Sequence, residues 1–85
     1  MRFMITFTWK EPPNEEVMAL MPAEEARGKE LGEQGIAEAP EIAADMSMIW
    51  VVWNCSSQDQ VQELLETLPL YKYLNIAIVE LAPKQ

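Results

Sequence analysis

The chain has 85 residues, of which 49% are apolar and 24% charged, and 14 acidic against 6 basic side chains give it a net charge of −8. That length fits a single domain, residues 1–85, and the balance of apolar and charged residues is typical of a globular protein. No two basic residues are adjacent, so this acidic chain lacks the clustered Lys and Arg that nucleic-acid binding requires.

Residue types that are missing exclude further kinds of site. The chain has no histidine, which removes the commonest general base and metal ligand, and no metal-ligand spacing or phosphate-binding glycine loop is present. We therefore expect no metal and no cofactor. The one cysteine, Cys55, has neither a disulfide partner nor a histidine base, so we expect no intrachain disulfide and no catalytic thiolate.

The sequence also predicts where the protein works. Its longest apolar run, residues 48–53, is far shorter than the ~18 residues that cross a bilayer. The first residues lead straight into a strand pattern, without the charged and apolar layout of a signal peptide. We expect a soluble cytoplasmic protein that does not bind membranes.

The first half of the chain predicts a strand followed by a long helix. Large apolar side chains recur at every second position from Arg2 to Trp9, which is a strand pattern. Asn14 can cap a helix that runs to Gln34, and Gly35 is placed as the left-handed residue that ends it. Pro22 lies inside this span, so we expect a kink or a division into two segments.

The second half predicts a weak strand, a turn, a strong strand, a helix and a last strand, at residues 36–44, 45–47, 48–54, 57–68 and 74–81. Pro40 interrupts the weak strand, which should therefore lie at a sheet edge or carry a bulge. Ser57 with Gln60 is a candidate capping box for the second helix, and Pro69 ends that helix.

This order, β-α-β-β-α-β, predicts an α+β ferredoxin-like sandwich: a four-stranded antiparallel sheet with two helices on one face. Two helices can cover only one face, yet the strands are apolar on both. In the third strand Ile49, Val51 and Trp53 point one way, whereas Met48, Trp50 and Val52 point the other. A second copy of the chain is the simplest cover for the other face, so we expect a homodimer with its sheets face to face.

The segment Leu68-Pro69-Leu70-Tyr71, followed by Tyr73 and an apolar strand, resembles the closing segment of the muconolactone isomerase family. The helix that ends in Glu30-Leu31 before Gly35 extends the resemblance, which covers the chain from about Arg2 to Leu81. It implies a ferredoxin-like dimeric α+β barrel and an enzyme that shifts a proton around a butenolide ring without a cofactor.

Two features depart from the family pattern. Residues 36–42 are Ile-Ala-Glu-Ala-Pro-Glu-Ile, where the family has a second strand rich in Trp, Arg and His. Lys72 stands where the closing motif usually has its second proline. The strand that supplies much of the family's pocket chemistry is therefore different here.

Glu24 is the leading candidate for a catalytic acid or base. If helical phase continues through Pro22, Glu24 lies between Val17 and Leu20 and in line with Leu31, at the centre of the apolar stripe. Burial there would raise the pKa of its carboxyl, which suits proton transfer at neutral pH. The resemblance also implies a glutamate at this helix position. The alternative is that Pro22 rotates the stripe and leaves Glu24 in solvent.

Arg27 and Glu41 are candidate ligand-binding residues. Arg27 lies one turn after Glu24 and could pair with it or hold an anionic substrate, the alternative being a surface ion pair. Glu38 and Glu41 replace polar residues of the family's second strand. One odd and one even position put them on opposite faces, so one could enter a cavity while the other protects the sheet edge.

Five aromatic residues complete the candidate site. Tyr71 and Tyr73 could donate hydrogen bonds to a ligand carbonyl, and packing against a domain edge or subunit is the alternative. Trp9, Trp50 and Trp53 could form an apolar, adaptable cavity wall, although such residues are more often plain core.

Two functions from different classes remain open. The first is a cofactor-independent isomerase or cyclase-like enzyme that moves a proton on a small apolar carbonyl or lactone compound, with Glu24 carrying the proton. The second is a non-catalytic dimeric module of the same fold that binds small hydrophobic ligands.

Overall fold

A computed structural model describes residues 1–83 and confirms the predicted order of elements. The elements are β1 (Arg2–Trp9), α1 (Glu15–Glu33), β2 (Glu41–Ile42), β3 (Met48–Asn54), α2 (Gln58–Leu65), a 3-10 turn (Tyr71–Tyr73) and β4 (Leu74–Glu80). The four strands form one antiparallel sheet in the order β2-β3-β1-β4. This is the predicted ferredoxin-like α+β arrangement, with β1 and β3 at its centre.

Helix α1 begins and ends where the sequence predicts. The side-chain oxygen of Asn14 accepts a hydrogen bond from the backbone N–H of Val17 at 3.0 Å, and Gly35 has a left-handed φ of 77°. Of the two alternatives predicted at Pro22, a kink or a division, the division is excluded because α1 continues through the proline as one helix. Val17 before the proline and Leu31 after it are both buried, so packing on either side holds one helix despite the missing N–H.

Helix α2 is capped by only half of the predicted capping box. The hydroxyl of Ser57 accepts from the backbone N–H of Gln60 at 3.1 Å, as expected. The Gln60 side chain, however, accepts from the backbone N–H of Ser56 at 2.6 Å, one residue before the cap. The helix also ends at Leu65, earlier than predicted, and turns lead from there into Pro69.

The weak strand predicted over residues 36–44 is mostly a bulge at the edge of the sheet. Only β2 is regular, with Glu41 opposite Trp50, and an isolated bridge joins Ala37 to Trp53. Four steps along the edge strand therefore match three steps along β3, so one extra residue is accommodated beside Pro40. The sequence prediction of an edge or bulge is confirmed in both respects.

The core lies between one face of the sheet and the two helices. The buried side chains of β1 and β3 are Phe3, Ile5, Phe7, Val51 and Trp53. They form one cluster with the buried residues of the helices and of the α2–β4 connection, which are Val17, Leu31, Val61, Leu65, Leu68 and Leu70. Both helices therefore cover the same face, as the sequence predicts.

The other face of the sheet carries no helix and is called the open face here. Alternation and register place six side chains at its centre: Met4, Thr6, Trp50, Val52, Ala77 and Val79. None of them is buried, and Val79 is 59% exposed. Five of the six are apolar, so within residues 1–83 this face is apolar without being covered. No helix in that range is long and apolar enough to cross a membrane.

Two glycines of the α1 region allow a matched test of helix termination. A Cβ added to Gly28 or Gly35 meets no atom within 4 Å, so space does not distinguish the two positions. Only Gly35 has a positive φ. We expect Gly35→Ala to lower the free energy of unfolding by about 1 kcal/mol, and Gly28→Ala, inside the helix, to raise it by roughly 0.5–1 kcal/mol. Urea denaturation of both variants would show this, and effects of equal sign would contradict it.

Candidate active site

The connection from α2 to β4, residues 67–73, is the part of the fold where candidate site residues converge, and it is called the corner here. Pro69 cannot continue a helix, so the chain turns instead, with Tyr71 N–H bonding to Leu68 O at 3.0 Å and Tyr73 N–H to Leu70 O at 2.9 Å. Leu68 and Leu70 are buried in the core and anchor the turn. The corner is thereby held close to α1.

Glu24 reaches from α1 to this corner. Its Oε1 accepts a hydrogen bond from the backbone N–H of Leu70 at 2.9 Å, and the side chain is half-buried. Burial raises the pKa of the Glu24 carboxyl, an effect that the bond from Leu70 partly opposes. Glu24 is therefore partly buried, as its place in the apolar stripe predicts, and Pro22 does not turn it into solvent. Among residues 1–83, no group bonds to the other carboxylate oxygen, Oε2.

Arg27 is not the partner of Glu24, contrary to one of the two predicted arrangements. Its Nε donates to the Thr67 hydroxyl at 3.1 Å, and its Nη1 lies 3.7 Å from a carboxylate oxygen of Glu30. The contact with Glu30 is the ion pair that the sequence offered as the alternative. Through Thr67, Arg27 binds the same corner as Glu24, one helical turn further along α1.

The hydroxyl groups of the two corner tyrosines play different hydrogen-bonding roles: one donates and the other accepts. The Tyr73 hydroxyl donates to Glu16 at 2.7 Å, and this bond raises the pKa of Tyr73. The Tyr71 hydroxyl instead accepts from the Gln62 amide at 3.0 Å. Tyr71 therefore keeps its own O–H proton for a ligand, whereas Tyr73 does not.

Two adjacent cavities border the corner. The first, of about 210 Å³, is lined by Lys10, Glu11, Pro12, Asn14, Val17, Lys72 and Tyr73. The second, of about 370 Å³, is lined by Lys10, Gln62, Leu65, Tyr71, Leu74, Asn75, Ile76 and Ile78. Each contains one of the predicted tyrosines, but Glu24 lines neither of them. The Glu24 carboxylate thus lies on the α1 side of the corner, outside both cavities.

Lys10 lines both cavities and was missed by the sequence analysis. It follows the last residue of β1, and its backbone N–H bonds to Tyr73 O at 3.0 Å because β1 pairs with β4. The sequence contains the signal: once β1 and β4 are predicted to be antiparallel neighbours, the residue after β1 must lie beside the residues before β4.

The three tryptophans do not form one cavity wall, so that prediction is wrong. Trp53 is buried in the core opposite Phe3. Trp9 lies at the other end of β1, where its indole N–H donates to Met46 O at 3.2 Å, and Trp50 lies on the open face. An alternating strand sends consecutive positions to opposite faces, so Trp50 and Trp53 cannot meet.

Glu41 lies on the open face, opposite Trp50 in register. Glu38 points to the same face, because its carboxylate accepts two hydrogen bonds from Arg2 at 3.1 Å and one from Asn54 at 3.2 Å. The prediction that Glu38 and Glu41 lie on opposite faces is wrong, since the bulge at Pro40 shifts the alternation by one residue. Neither carboxylate is near the corner.

Cys55 and the acidic residues offer no other site. Cys55 is buried, and burial raises the pKa of its thiol, so it is not a thiolate at neutral pH. In the part of the chain that the structure describes, no three side chains of Asp, Glu or Cys are grouped in a way that could hold a metal ion.

Comparisons with known proteins agree with the fold described above. The family model described as muconolactone delta-isomerase matches residues 1–85. A crystal structure of muconolactone isomerase has a TM-score of 0.85 at 22% identity, covering 99% of this chain and 91% of that chain.

A second solved structure is 5-chloro-2-hydroxyhydroquinone dehydrochlorinase (TftG) from Burkholderia phenoliruptrix AC1100, in complex with 2,5-dihydroxybenzoquinone. It has a TM-score of 0.73 at 18% identity over 96% of this chain and 94% of that chain. At these identities the two structures establish the fold alone. A search of curated proteins finds no significant match.

The raised pKa of Glu24 predicts how its replacement changes stability with pH. The folded protein binds the Glu24 proton more tightly than the unfolded chain does. The protonated carboxyl therefore adds to the free energy of unfolding at low pH. That contribution is lost as pH rises from the ordinary value of 4.5 through the raised folded value.

We therefore expect Glu24→Gln to gain stability relative to the unmodified protein as pH rises across that window, and then to level off. Urea denaturation at several pH values between about 4 and about 8 measures the difference. Glu25→Gln, at an exposed neighbouring position, controls for the loss of one negative charge. A Glu24→Gln difference that is constant with pH, or that follows the control, would contradict the assignment.

Proposed function

The chain belongs to the muconolactone delta-isomerase family, and from this we propose that it is a cofactor-independent isomerase or cyclase-like enzyme. Its substrate would be a small, mostly apolar carbonyl or lactone compound on which a proton is moved from one carbon to another. The family supports isomerase chemistry in general terms. The particular reaction rests on the residues of the corner.

The half-buried Glu24 carboxylate is the observation that carries the proposal. One oxygen is fixed by the Leu70 N–H at 2.9 Å, so the other is left oriented and available to accept a proton. Burial raises the pKa of this carboxyl, which brings it closer to neutrality, where an acid-base group is most effective. A carboxylate held in this way can remove a proton next to a carbonyl and return it at another carbon.

Tyr71 is the better of the two tyrosines for polarising the substrate carbonyl. Removing a proton next to a carbonyl builds negative charge on its oxygen, and a hydrogen-bond donor there stabilises that charge. The Tyr71 hydroxyl has its own proton to donate, whereas the Tyr73 hydroxyl donates to Glu16. Tyr71 directly follows Leu70, whose N–H orients Glu24, but the two side chains line no common cavity. A substrate that uses both groups must therefore extend across the corner, beyond the cavity that Tyr71 lines.

A homodimer with the two open faces in contact is part of the proposal. Five apolar side chains at the centre of this face remain uncovered by the chain's own helices. Arg2, Glu38 and Asn54 form a polar group at one end of the same face, which would become the rim of such an interface. Association would bury apolar surface that a chain of this size cannot cover alone.

The competing function is a non-catalytic binder of small hydrophobic molecules. It is favoured by the second cavity, which has an apolar floor of Leu65, Leu74, Ile76 and Ile78 and which Glu24 does not line. A ligand held there would meet the Tyr71 hydroxyl without reaching the carboxylate. The two functions therefore differ in whether Glu24 affects turnover.

Glu24→Gln separates the two functions. Glutamine keeps the shape and an oxygen that can accept from Leu70, but it cannot carry the proton. An isomerase should lose about 10²–10⁴-fold in rate. The measurement is proton–deuterium exchange at the ring carbons of simple butenolides and related lactones in D₂O, followed by NMR. Glu25→Gln should retain the rate of the unmodified protein.

A failure has a clear form in this experiment. Exchange that is equally fast with Glu24→Gln would remove the catalytic role of Glu24. Saturable lactone binding without any catalysed exchange, in both proteins, would establish the binding module instead.

The dimer is tested by placing a negative charge on the open face in one variant and on the outer surface of α1 in another. Val52→Asp puts a carboxylate at the centre of the open face, where burial in an interface costs several kcal/mol, so we expect it to produce monomers. Met18→Asp puts the same charge on α1, at a residue that is 62% exposed, and should leave the assembly unchanged. Light scattering measures the mass. A monomeric unmodified protein, or a Val52→Asp variant that remains dimeric, would contradict the proposal.

A further inference from the structure

Two lysines differ from the other basic residues that the structure describes. Arg2, Arg27 and Lys29 each lie within 4.0 Å of a carboxylate oxygen, from Glu38, Glu30 and Glu33 respectively. Lys10 and Lys72 have no carboxylate partner among residues 1–83, although acidic residues outnumber basic ones by 14 to 6 in the chain. Two of the three described lysines thus lack an ion pair although carboxylates are in excess.

Both of these lysines line the same cavity, the smaller one of about 210 Å³. The fold brings them together at the end of the β1–β4 ladder, where Trp9 pairs with Leu74. Lys10 directly follows Trp9, and Lys72 lies two residues before Leu74. The bond from Lys10 N–H to Tyr73 O fixes the two backbones at this point. Both lysines therefore border one cavity at a position that the sheet determines.

Within residues 1–83 no carboxylate forms an ion pair with either ammonium group, although Glu11 lines the cavity and Glu16 bonds to Tyr73 in its wall, so both carboxylates oppose part of the positive charge. Glu11 lines the cavity but lies within 4.0 Å of neither lysine nitrogen. Glu16 accepts the Tyr73 hydroxyl, and the Asn14 side-chain oxygen accepts the N–H of Val17. The Lys72 ammonium lies 5.1 Å from the centre of the Tyr73 ring, a contact that orients the lysine without cancelling its charge.

The cavity also lies at the start of α1, since Asn14 and Val17 form part of its wall. The N-terminal end of a helix carries partial positive charge from its unpaired N–H groups. That charge borders the same cavity as the two lysines, and the carboxylates of Glu15 and Glu16 in the first turn offset part of it. The combination favours negative charge more strongly than either feature does alone.

We propose that this cavity binds the anionic oxygen group of a small molecule, a carboxylate or a phosphate, between Lys10 and Lys72. Its volume admits a compact anion. The site is separate from Glu24, which does not line the cavity, so it holds whether or not Glu24 is catalytic. Lys10 also lines the larger cavity with its apolar floor, so a bound acid can extend its apolar part in that direction.

The test is a titration of the full chain followed by ¹H–¹⁵N NMR, with sodium acetate in one series and sodium phosphate in another. Sodium chloride keeps the ionic strength constant, and every solution is adjusted to the same pH. We expect saturable shifts of the amides of Lys10, Glu11 and Lys72 with at least one of the two anions, and the tighter anion identifies the ligand class. Lys10→Gln and Lys72→Gln should each weaken binding about tenfold, because each removes one charge-assisted contact.

Lys29→Gln is the matched control, because it removes the same charge from a lysine of α1 that pairs with Glu33 and lies outside the cavity. It should leave the dissociation constant unchanged. All three lysines are exposed, so the variants should fold, which circular dichroism checks. Shifts that do not saturate with either anion would overturn the proposal. Equal weakening in the control and the cavity variants would also overturn it, because general charge would then explain the binding.

Discussion

One-sided packing is the constraint on which the rest of the structure depends. A chain with only two helices can cover one face of a four-stranded sheet, and both helices pack on the face that carries Phe3, Ile5 and Phe7. Every buried strand residue belongs to that face, and the central side chains of the other face remain uncovered. The protein therefore has one face of the sheet covered by helices, where the candidate site lies, and one apolar face that the described part of the chain leaves uncovered.

On the helix-covered side of the sheet, polar contacts hold α1 to the corner. Glu16, Glu24 and Arg27 lie along α1 and bond to Tyr73, the Leu70 N–H and Thr67 respectively. Each contact joins segments at least 40 residues apart in sequence, so together they set the position of the corner against the helix. The Glu24 carboxylate that is proposed to carry a proton thus also joins α1 to the corner. Its Oε1 bonds to the Leu70 N–H, and its Oε2 is the oxygen proposed to accept the proton.

The sequence predicted the regular strands and helices, which have periodic patterns, but not the position of the bulge or the contacts between distant residues. Strand alternation and the caps at Asn14 and Gly35 gave the fold, and the apolar stripe placed Glu24 on the buried side. The bulge beside Pro40 could not be positioned to the residue, so Glu38 and Glu41 were predicted on opposite faces although they share one. The three tryptophans were grouped into one cavity wall because they are chemically alike. Residue type alone, however, does not determine which end or face of the sheet a side chain occupies. The Arg27–Thr67 contact joins residues 40 apart, which local spacing cannot reveal.

The bulge adds one residue to the edge strand without changing which face of the sheet the flanking side chains occupy. Because Ala37 and Glu41 both keep regular partners on β3, the extra residue between them affects neither. Deleting one residue there would leave a regular strand with Glu38 and Glu41 still on the faces that they occupy now. A related chain one residue shorter in this segment would therefore present the same surface. Aligning it correctly with this sequence requires a single gap between Ala37 and Glu41.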